Sequence, residues 1–118
     1  MKEKKRILLG FVEDITVVGK NGKKKKVRAR IDTGATKSAV DKAIVKEFKL
    51  GPICGKRLVK SSNGESIRPI LKVNIILCKQ KIRNEFTIAD RSKLRYKVLI
   101  GQNILKTRGF IIDPLKKK

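Results

Sequence analysis

The sequence predicts an all-β protein, a small barrel or sandwich of many short strands with one or two short helices. Aromatic residues make up only 4% of the chain and tryptophan is absent, so the core must consist mostly of valine, isoleucine and leucine, which favour strands. Short apolar runs also alternate with turn signals along the chain. At 118 residues the chain has the size of one domain, so we expect a single domain over 1–118, with mobile basic ends at 1–6 and 115–118.

The first half of the chain predicts four strands followed by a short helix. Asn21-Gly22 is a strong hairpin signal, and in the strand after it apolar residues alternate with arginines, the period of a strand with one buried face. The helix is predicted over 41–50, with Asp41 as its N-cap and Gly51-Pro52 as its end. The predicted strands are 7–12, 15–18, 26–31 and 37–40.

The second half predicts a hairpin, further strands and one helical turn. Ser62-Asn63-Gly64-Glu65 forms a small polar tip between two strands of that hairpin. Gln80 is expected in a turn, and 104–107 reads as a helical turn closed by Gly109. The predicted strands are 57–61, 66–71, 73–78, 83–89, 97–100 and 110–112.

The charge and the missing residue types exclude several classes of function. The net charge of +22 predicts nonspecific attraction to polyanions, whether nucleic acid, acidic protein or anionic lipid, with solubility or adaptation to high salt or temperature as the alternative explanation. Histidine is absent, which removes the usual catalytic triads and the usual nitrogen ligand of zinc. Cys54 and Cys78 stand alone, so we expect buried free thiols and no metal site. No apolar run is long enough for a membrane span or signal segment, so the default location is the cytoplasm.

The segment Asp32-Thr33-Gly34-Ala35, placed directly after an alternating strand, is the main candidate for chemistry. Taken alone, the triplet is an ordinary set of turn formers. The functional interpretation is a carboxylate on a tight turn beyond a rigid strand, with Gly34 allowing close backbone approach. Peptide hydrolysis of this kind uses two carboxyl groups that share a proton, so the second must come from another copy of the chain.

A second motif strengthens this interpretation. An apolar strand leads into Ile100-Gly101-Gln102-Asn103 and then a helical turn. With the first motif and the hairpin between them, the chain resembles the retropepsin-like aspartic peptidases over nearly its full length. It is most similar to the subgroup associated with the glutamate ligase RimK, often named "ATP-dependent zinc protease". Asp90-Arg91-Ser92 and the segment 96–101 are similar to patterns of that subgroup.

The resemblance implies a small closed barrel with a flap hairpin, and it implies roles for individual residues. Asp32 would be the catalytic carboxylate, paired with Asp32 of a second copy, and Thr33 would hold its counterpart across the dimer. Gly34 would border the substrate, and Thr33, Gly34 and Ala35 together would support the catalytic dyad. The tip, Ser62 to Glu65, would close over a bound peptide. The N-terminal strand and 110–112 would interlock the two subunits.

The chain also departs from the family pattern. Gln102 stands where retropepsins place an arginine, and Thr36 stands where viral members often place its aspartate partner, so we expect a Gln102–Thr36 hydrogen bond instead. Lys97 replaces a proline of the subgroup. The zinc and ATP of the subgroup's name find no ligands here, and no cofactor is expected. Asp90 and Asp113 are expected to be turn residues.

Three functional hypotheses follow. The first is a homodimeric aspartic endopeptidase that acts on extended peptides, with acidic, glutamate-rich peptides favoured by the positive charge. The second is a noncatalytic module of the same fold that binds RNA, the ribosome or another polyanion. The third is a partner of a RimK-like ATP-grasp ligase.

Overall fold

A computed structural model describes residues 6–61 and 64–116. Within them the chain forms nine strands and two short helices. The strands are β1 (Leu8–Leu9), β2 (Val12–Val18), β3 (Lys24–Ile31), β4 (Ser38–Asp41), β5 (Ile53–Ser61), β6 (Gly64–Leu77), β7 (Gln80–Ala89), β8 (Val98–Ile100) and β9 (Ile111–Ile112). The helices are α1 (Lys42–Glu47) and α2 (Gln102–Leu105). No helix among these residues is long and apolar enough to cross a bilayer.

Six of the strands close into a barrel. The order is β2-β3-β8-β4-β7-β6, and β2 closes the ring because its residues from Ile15 to Val18 also pair with β6. The β3–β8 and β4–β7 pairs are parallel, and the other pairs of the ring are antiparallel. Strand β5 pairs with β6 outside the ring and forms the predicted hairpin. The alternative of a sandwich is therefore excluded by the β2–β6 pairing.

The barrel interior is filled by branched aliphatic side chains, as the composition predicts. Along β2 and β3, buried residues alternate with outward-facing ones, because successive side chains of a strand point to opposite faces. Phe86 is the only aromatic residue among the fully buried large side chains. Burial of this aliphatic core is the main source of stability available to the fold.

The N-terminal apolar run differs from the single strand predicted over 7–12. It is broken at Gly10, whose amide donates to the buried carboxylate of Glu13 at 2.7 Å. Strand β1 leaves the barrel there and pairs in parallel with β9, and β2 starts at Val12. A Cβ atom at position 10 would lie 2.8 Å from the Lys116 carbonyl oxygen. The close approach of the Lys116 backbone therefore requires glycine at this position.

Other boundaries shift because strands continue where the sequence suggested turns. Strand β6 joins the predicted strands 66–71 and 73–78 into one, and Gln80 is the first residue of β7 rather than a turn residue. The β6–β7 turn instead uses Cys78 and Lys79, both with positive φ. The predicted N-cap is present, since the Asp41 carboxylate accepts from the Ala43 amide at 3.2 Å.

The expectation about the thiols is wrong, and the end of the chain makes contacts. Lys116 Nζ lies 2.9 Å from Glu13 Oε2 and 2.8 Å from the Leu8 carbonyl oxygen. Cys54 is exposed and Cys78 is half-buried, so neither thiol is fully buried. The predicted tip residues Ser62 and Asn63, and most of the predicted mobile ends, lie outside the described residues.

Candidate functional site

The Asp32 loop begins where β3 leaves the barrel. The Asp32 amide donates to the Ile100 carbonyl at 2.9 Å, which ties the loop to the neighbouring strand β8. The Asp32 carboxylate accepts from the Gly34 amide at 2.9 Å, and the Ala35 amide closes the turn onto the Asp32 carbonyl at 3.3 Å. Asp32 is half-buried, and its carboxylate is held by its own loop.

The second predicted motif, Ile100 to Asn103, contacts this loop. The Gln102 amide donates to the Ala35 carbonyl at 2.8 Å, and the Asn103 amide donates to the Thr36 carbonyl at 3.2 Å. A Cβ on Gly101 would overlap the Lys37 carbonyl and lie 2.8 Å from the Ala35 oxygen. The glycine is therefore required by the close approach of the two backbones, and the structure brings the two predicted motifs together.

Gln102 does not make the predicted hydrogen bond to Thr36. Its side-chain amide donates to the Thr33 carbonyl at 2.8 Å. The Thr36 hydroxyl accepts from Arg57 Nη2 at 3.4 Å, so an arginine from the β5–β6 hairpin takes the position expected for Gln102. The Thr33 hydroxyl makes no hydrogen bond to any other described residue. Gln102 thus holds the loop through the backbone carbonyl of Thr33, and the Thr33 side chain stays exposed.

A buried polar cluster that the sequence analysis missed supports this arrangement. Ser38 is fully buried; its hydroxyl accepts from the Gly101 amide at 2.9 Å and donates to Asn103 Oδ1 at 2.8 Å. Asn103 Nδ2 donates to Asn84 Oδ1 at 3.1 Å and to the Glu85 carbonyl at 2.9 Å. A serine before the apolar pair Ala39-Val40 in the strand Ser38–Asp41 is the one signal that could have indicated it.

The β5–β6 hairpin leans over the Asp32 loop and encloses a cavity. This cavity, which we call the hairpin groove, has a volume of ≈ 480 Å³. Its walls include Gly34, Ala35, Thr36, Arg57, Arg68 and Arg91. Of the predicted tip, Gly64 and Glu65 are described; Gly64 has a positive φ and Glu65 lies 3.8 Å from Lys60 Nζ. The loop and the hairpin thus face each other across a space that can hold an extended chain.

A second cavity, unlike the hairpin groove, has Asp32 in its wall. This arginine hollow has a volume of ≈ 620 Å³, and its walls include Arg30, Asp32, Arg91, Arg95 and Tyr96. Arg91 faces both cavities. Its burial, followed by the positive charge of Arg68, lowers the pKa of Arg91, and the charges of Asp41 and Asp32 act in the opposite direction. The charged guanidinium of Arg91 is therefore placed where a further anion would stabilise it.

The segment after β7 positions Arg91. Its backbone amide donates to the buried Asp41 carboxylate at 2.6 Å, and its Nε donates to the Tyr96 carbonyl at 2.9 Å. Lys97 Nζ donates to three carbonyls of the same segment, those of Arg91, Ser92 and Leu94, at 3.0, 2.6 and 2.8 Å. Lys97, which replaces a proline of the subgroup pattern, thus holds the segment together.

The two other aspartates considered in the sequence have turn geometry. Asp90 Oδ1 accepts from the Ser92 amide and hydroxyl at 3.1 and 2.6 Å. These hydrogen bonds, with the charge of Lys42, lower the pKa of Asp90 to about 2. Asp113 accepts from the Leu115 amide at 2.9 Å. Among the described residues, Asp32 is the only acid that lines either cavity, so one chain supplies one carboxylate to the site.

Comparison with known proteins gives both a family and a fold. A profile of the family described as "RimB-like: Retropepsin-like aspartic endopeptidase RimB" matches residues 49–118, a range that contains the hairpin and the second motif and follows the Asp32 loop. No curated protein matches the sequence significantly.

Two solved structures resemble this chain, each at 18% identity. A Legionella pneumophila protein of unknown function has a TM-score of 0.67 over 96% of this chain and 97% of that chain. The protease of simian foamy virus has a TM-score of 0.57 over 80% of this chain and 90% of that chain. The closed retropepsin-like barrel predicted from the sequence is therefore confirmed.

Proposed function

Because the chain belongs to the RimB-like family of retropepsin-like aspartic endopeptidases, we propose that two copies of it form a peptidase with Asp32 of each copy at the seam. The observation that carries the proposal is the single carboxylate on a loop fixed by the second motif, beside a groove that can hold a peptide. The chemistry needs two such groups, so the site is incomplete without a second copy.

The reaction assigns different tasks to the two carboxyl groups. Two carboxyl groups at hydrogen-bond distance hold one proton between them, because both cannot be ionised so close together. The ionised group accepts a proton from a water molecule as its oxygen attacks the peptide carbon, and the protonated group donates to the carbonyl oxygen. The resulting diol then breaks its C–N bond as the nitrogen receives a proton. In this assignment the Gly34 amide orients the Asp32 carboxylate.

Exposed groups around the site support assembly of two copies. The Thr33 side chain is exposed and makes no hydrogen bond to another described residue. This is what we expect of a threonine that contacts Thr33 of a second copy. The terminal strands β1 and β9 pair with each other and expose Leu8 and Ile111 at 45% and 40% of their surfaces. Phe11 adds a further exposed apolar side chain at 59%. These residues supply apolar surface for a subunit contact.

Arginines beside Asp32 favour an acidic peptide as substrate. Arg57 and Arg68 line the hairpin groove, Arg30 lines the arginine hollow, and Arg91 lines both. Neither cavity contains an acid other than Asp32 among its described walls. Glutamate or aspartate side chains on either side of the cleaved bond would therefore be bound by charge-assisted hydrogen bonds.

Cleavage assays on matched variants test this proposal. Purified protein is mixed with glutamate-rich and with neutral peptides, and products are identified by mass spectrometry. We expect cleavage of the acidic peptides only, complete loss of cleavage in Asp32→Asn, and a loss of about tenfold or more in kcat/KM in Arg91→Gln. Lys46→Gln, an exposed lysine on α1, is the control for a change of one positive charge. Cleavage that persists in Asp32→Asn would reject the assignment.

The alternative hypotheses give different outcomes in the same experiments. A noncatalytic polyanion-binding module would bind RNA with a steep salt dependence and would cleave no peptide. A partner of an ATP-grasp ligase would be recovered bound to that enzyme from native extract, and binding would be unaffected in Asp32→Asn.

A further inference from the structure

The outer surface of the barrel carries a basic face that the proposed peptidase reaction does not use. Strands β3, β2, β6 and β7 lie side by side there, and their backbone register aligns outward-facing residues in rows across the four strands. Two such rows form what we call the outer basic face. They consist of Lys24, Val18, Asn74 and Arg83, and of Lys26, Thr16, Ile76 and Lys81.

Positive charge lies along both margins of the outer basic face, and its centre is neutral. The margins are the exposed cations of β3 and β7, and Lys24, Lys81 and Arg83 among them line one hollow. The centre contains the half-buried apolar side chains of Val18 and Ile76. None of the four marginal cations has an ion pair within the described part of the chain. The face therefore has unpaired positive charge on both sides of an apolar strip.

The outer basic face is concave at its centre and remote from Asp32. A hollow of ≈ 290 Å³ lies between its margins, with walls that include Val18, Lys24, Ile76 and Arg83. Lys24 begins β3, whereas Asp32 follows the end of the same strand, so roughly 25 Å of strand separates them. A ligand of this face would therefore not occupy the hairpin groove.

We propose that the outer basic face docks an acidic amphipathic helix of a protein partner. An amphipathic helix has an apolar stripe with charged residues on both sides, which matches an apolar strip between two rows of cations. Its apolar stripe would lie on Val18 and Ile76, and its flanking carboxylates would meet the lysines of β3 on one side and Lys81 and Arg83 on the other. Single-stranded RNA fits less well, because neither row contains an aromatic side chain on which bases could stack.

The proposal is tested by fluorescence anisotropy with a labelled peptide of leucines at helical spacing flanked by glutamates. The full chain with Asp32→Asn is used, so that binding is measured without cleavage. We expect Lys24→Gln/Lys26→Gln and Lys81→Gln/Arg83→Gln each to weaken binding by about fivefold and to reduce its salt dependence. Ile76→Thr keeps the charge and β-branching, and should weaken binding by about threefold with unchanged salt dependence.

A matched control removes two exposed lysines elsewhere. Lys56→Gln/Lys93→Gln changes the net charge equally and should bind the peptide like the parent. An equal loss of affinity in this control would mean nonspecific attraction and would overturn the proposal. Binding of an oligouridylate with the same dependence on the margin lysines, without binding of the peptide, would also overturn it. Cleavage by the protein with Asp32 intact is measured separately, so failure here leaves the peptidase assignment standing.

Discussion

At the scale of single residues, the position of the Asp32 loop depends on one buried hydroxyl. Ser38 begins β4, and its Oγ connects the Gly101 amide with the Asn103 side chain. Gly101 and Asn103 in turn flank Gln102, whose amide holds the Ala35 carbonyl. The hydroxyl thus fixes the distance between the two motifs, since both of its hydrogen bonds are made to the segment from Gly101 to Asn103, which contacts the Asp32 loop.

Ser38→Ala should therefore destabilise the fold and disturb the site. The substitution leaves the buried Gly101 amide without its acceptor and Asn103 Oδ1 without its donor, which costs about 1–3 kcal/mol. Urea unfolding monitored by circular dichroism measures the change in free energy of unfolding. Ser66→Ala is the control, because Ser66 is exposed and, among the described residues, its hydroxyl accepts only from Arg68 Nε, at 3.3 Å. If the two variants unfold at the same urea concentration, Ser38 does not have this role.

Residues that form a local pattern could be predicted, and residues that act through distant contacts could not. The turn after Asp32 and the glycine at position 101 were identified because each belongs to a short contiguous motif. Ser38 and Arg91 were assigned no role, because their importance arises from partners 63 and 50 residues away in the chain. The partner of Gln102 is predicted wrongly for the same reason, since no local pattern indicates that Arg57 contacts Thr36.

At the scale of elements, an ion pair between Glu13 and Lys116 connects the terminal strands to the barrel. Glu13 is 1% exposed in its side chain, and it accepts from the Gly10 amide and from Lys116 Nζ. Lys116 also donates to the Leu8 carbonyl, so the end of the chain is tied to β1. This contact adds to the parallel pairing of β1 with β9, an arrangement that apolar periodicity alone does not predict.

Lys116→Met should loosen this arrangement in a pH-dependent manner. Removing the ammonium leaves the buried Glu13 with less compensation, and we expect a loss of about 2 kcal/mol in the free energy of unfolding at pH 7. The hydrogen bond to Glu13 raises the pKa of Lys116 above its ordinary value of 10.5. The stabilisation is therefore fully present below pH 10.5 and lost as the pH rises through the raised pKa.

Denaturant unfolding of the parent and the variant at several pH values measures this effect. The difference between them should stay constant from pH 7 to about 10 and shrink above it. Lys106→Met removes an exposed lysine and should change the free energy of unfolding by less than about 0.5 kcal/mol at every pH. An equal loss in both variants would show that the contact with Glu13 has no special weight.

Strand boundaries were predicted well where alternation is strong and less well where the chain changes partners. β3 was predicted to within two residues, because its apolar residues alternate with cations over its length. The break at Gly10 and the continuity of β6 depend on pairing with β9 and β7, which are far away in sequence. Periodicity reports which face of a strand is buried, but it does not report which strand lies beside it.

At the scale of the whole molecule, the barrel keeps its positive charge in separate places. One group of arginines surrounds Asp32, and the outer basic face lies at the opposite end of β3. The described residues contain few acids to neutralise either group, which agrees with the net charge of +22 of the chain. Both surfaces should therefore bind anionic ligands less well as salt increases, but only the first depends on a second copy for its chemistry.

Dependence on a second copy predicts that activity falls with dilution. Specific activity on an acidic peptide should decrease once the protein concentration falls below the dimer dissociation constant, because one chain contributes one carboxylate. Ile111→Asp places a charge on the exposed terminal strands and should weaken the dimer. The decrease in specific activity should then begin at a protein concentration at least tenfold higher, and sedimentation velocity of the same samples should show the same shift. Ile53→Asp, at a similarly exposed isoleucine of β5, should leave the curve unchanged. The contradicting outcome is a specific activity that stays constant at concentrations where the protein sediments as a monomer. Both carboxylates would then have to come from one chain, whereas no second acid lines either cavity among the described residues.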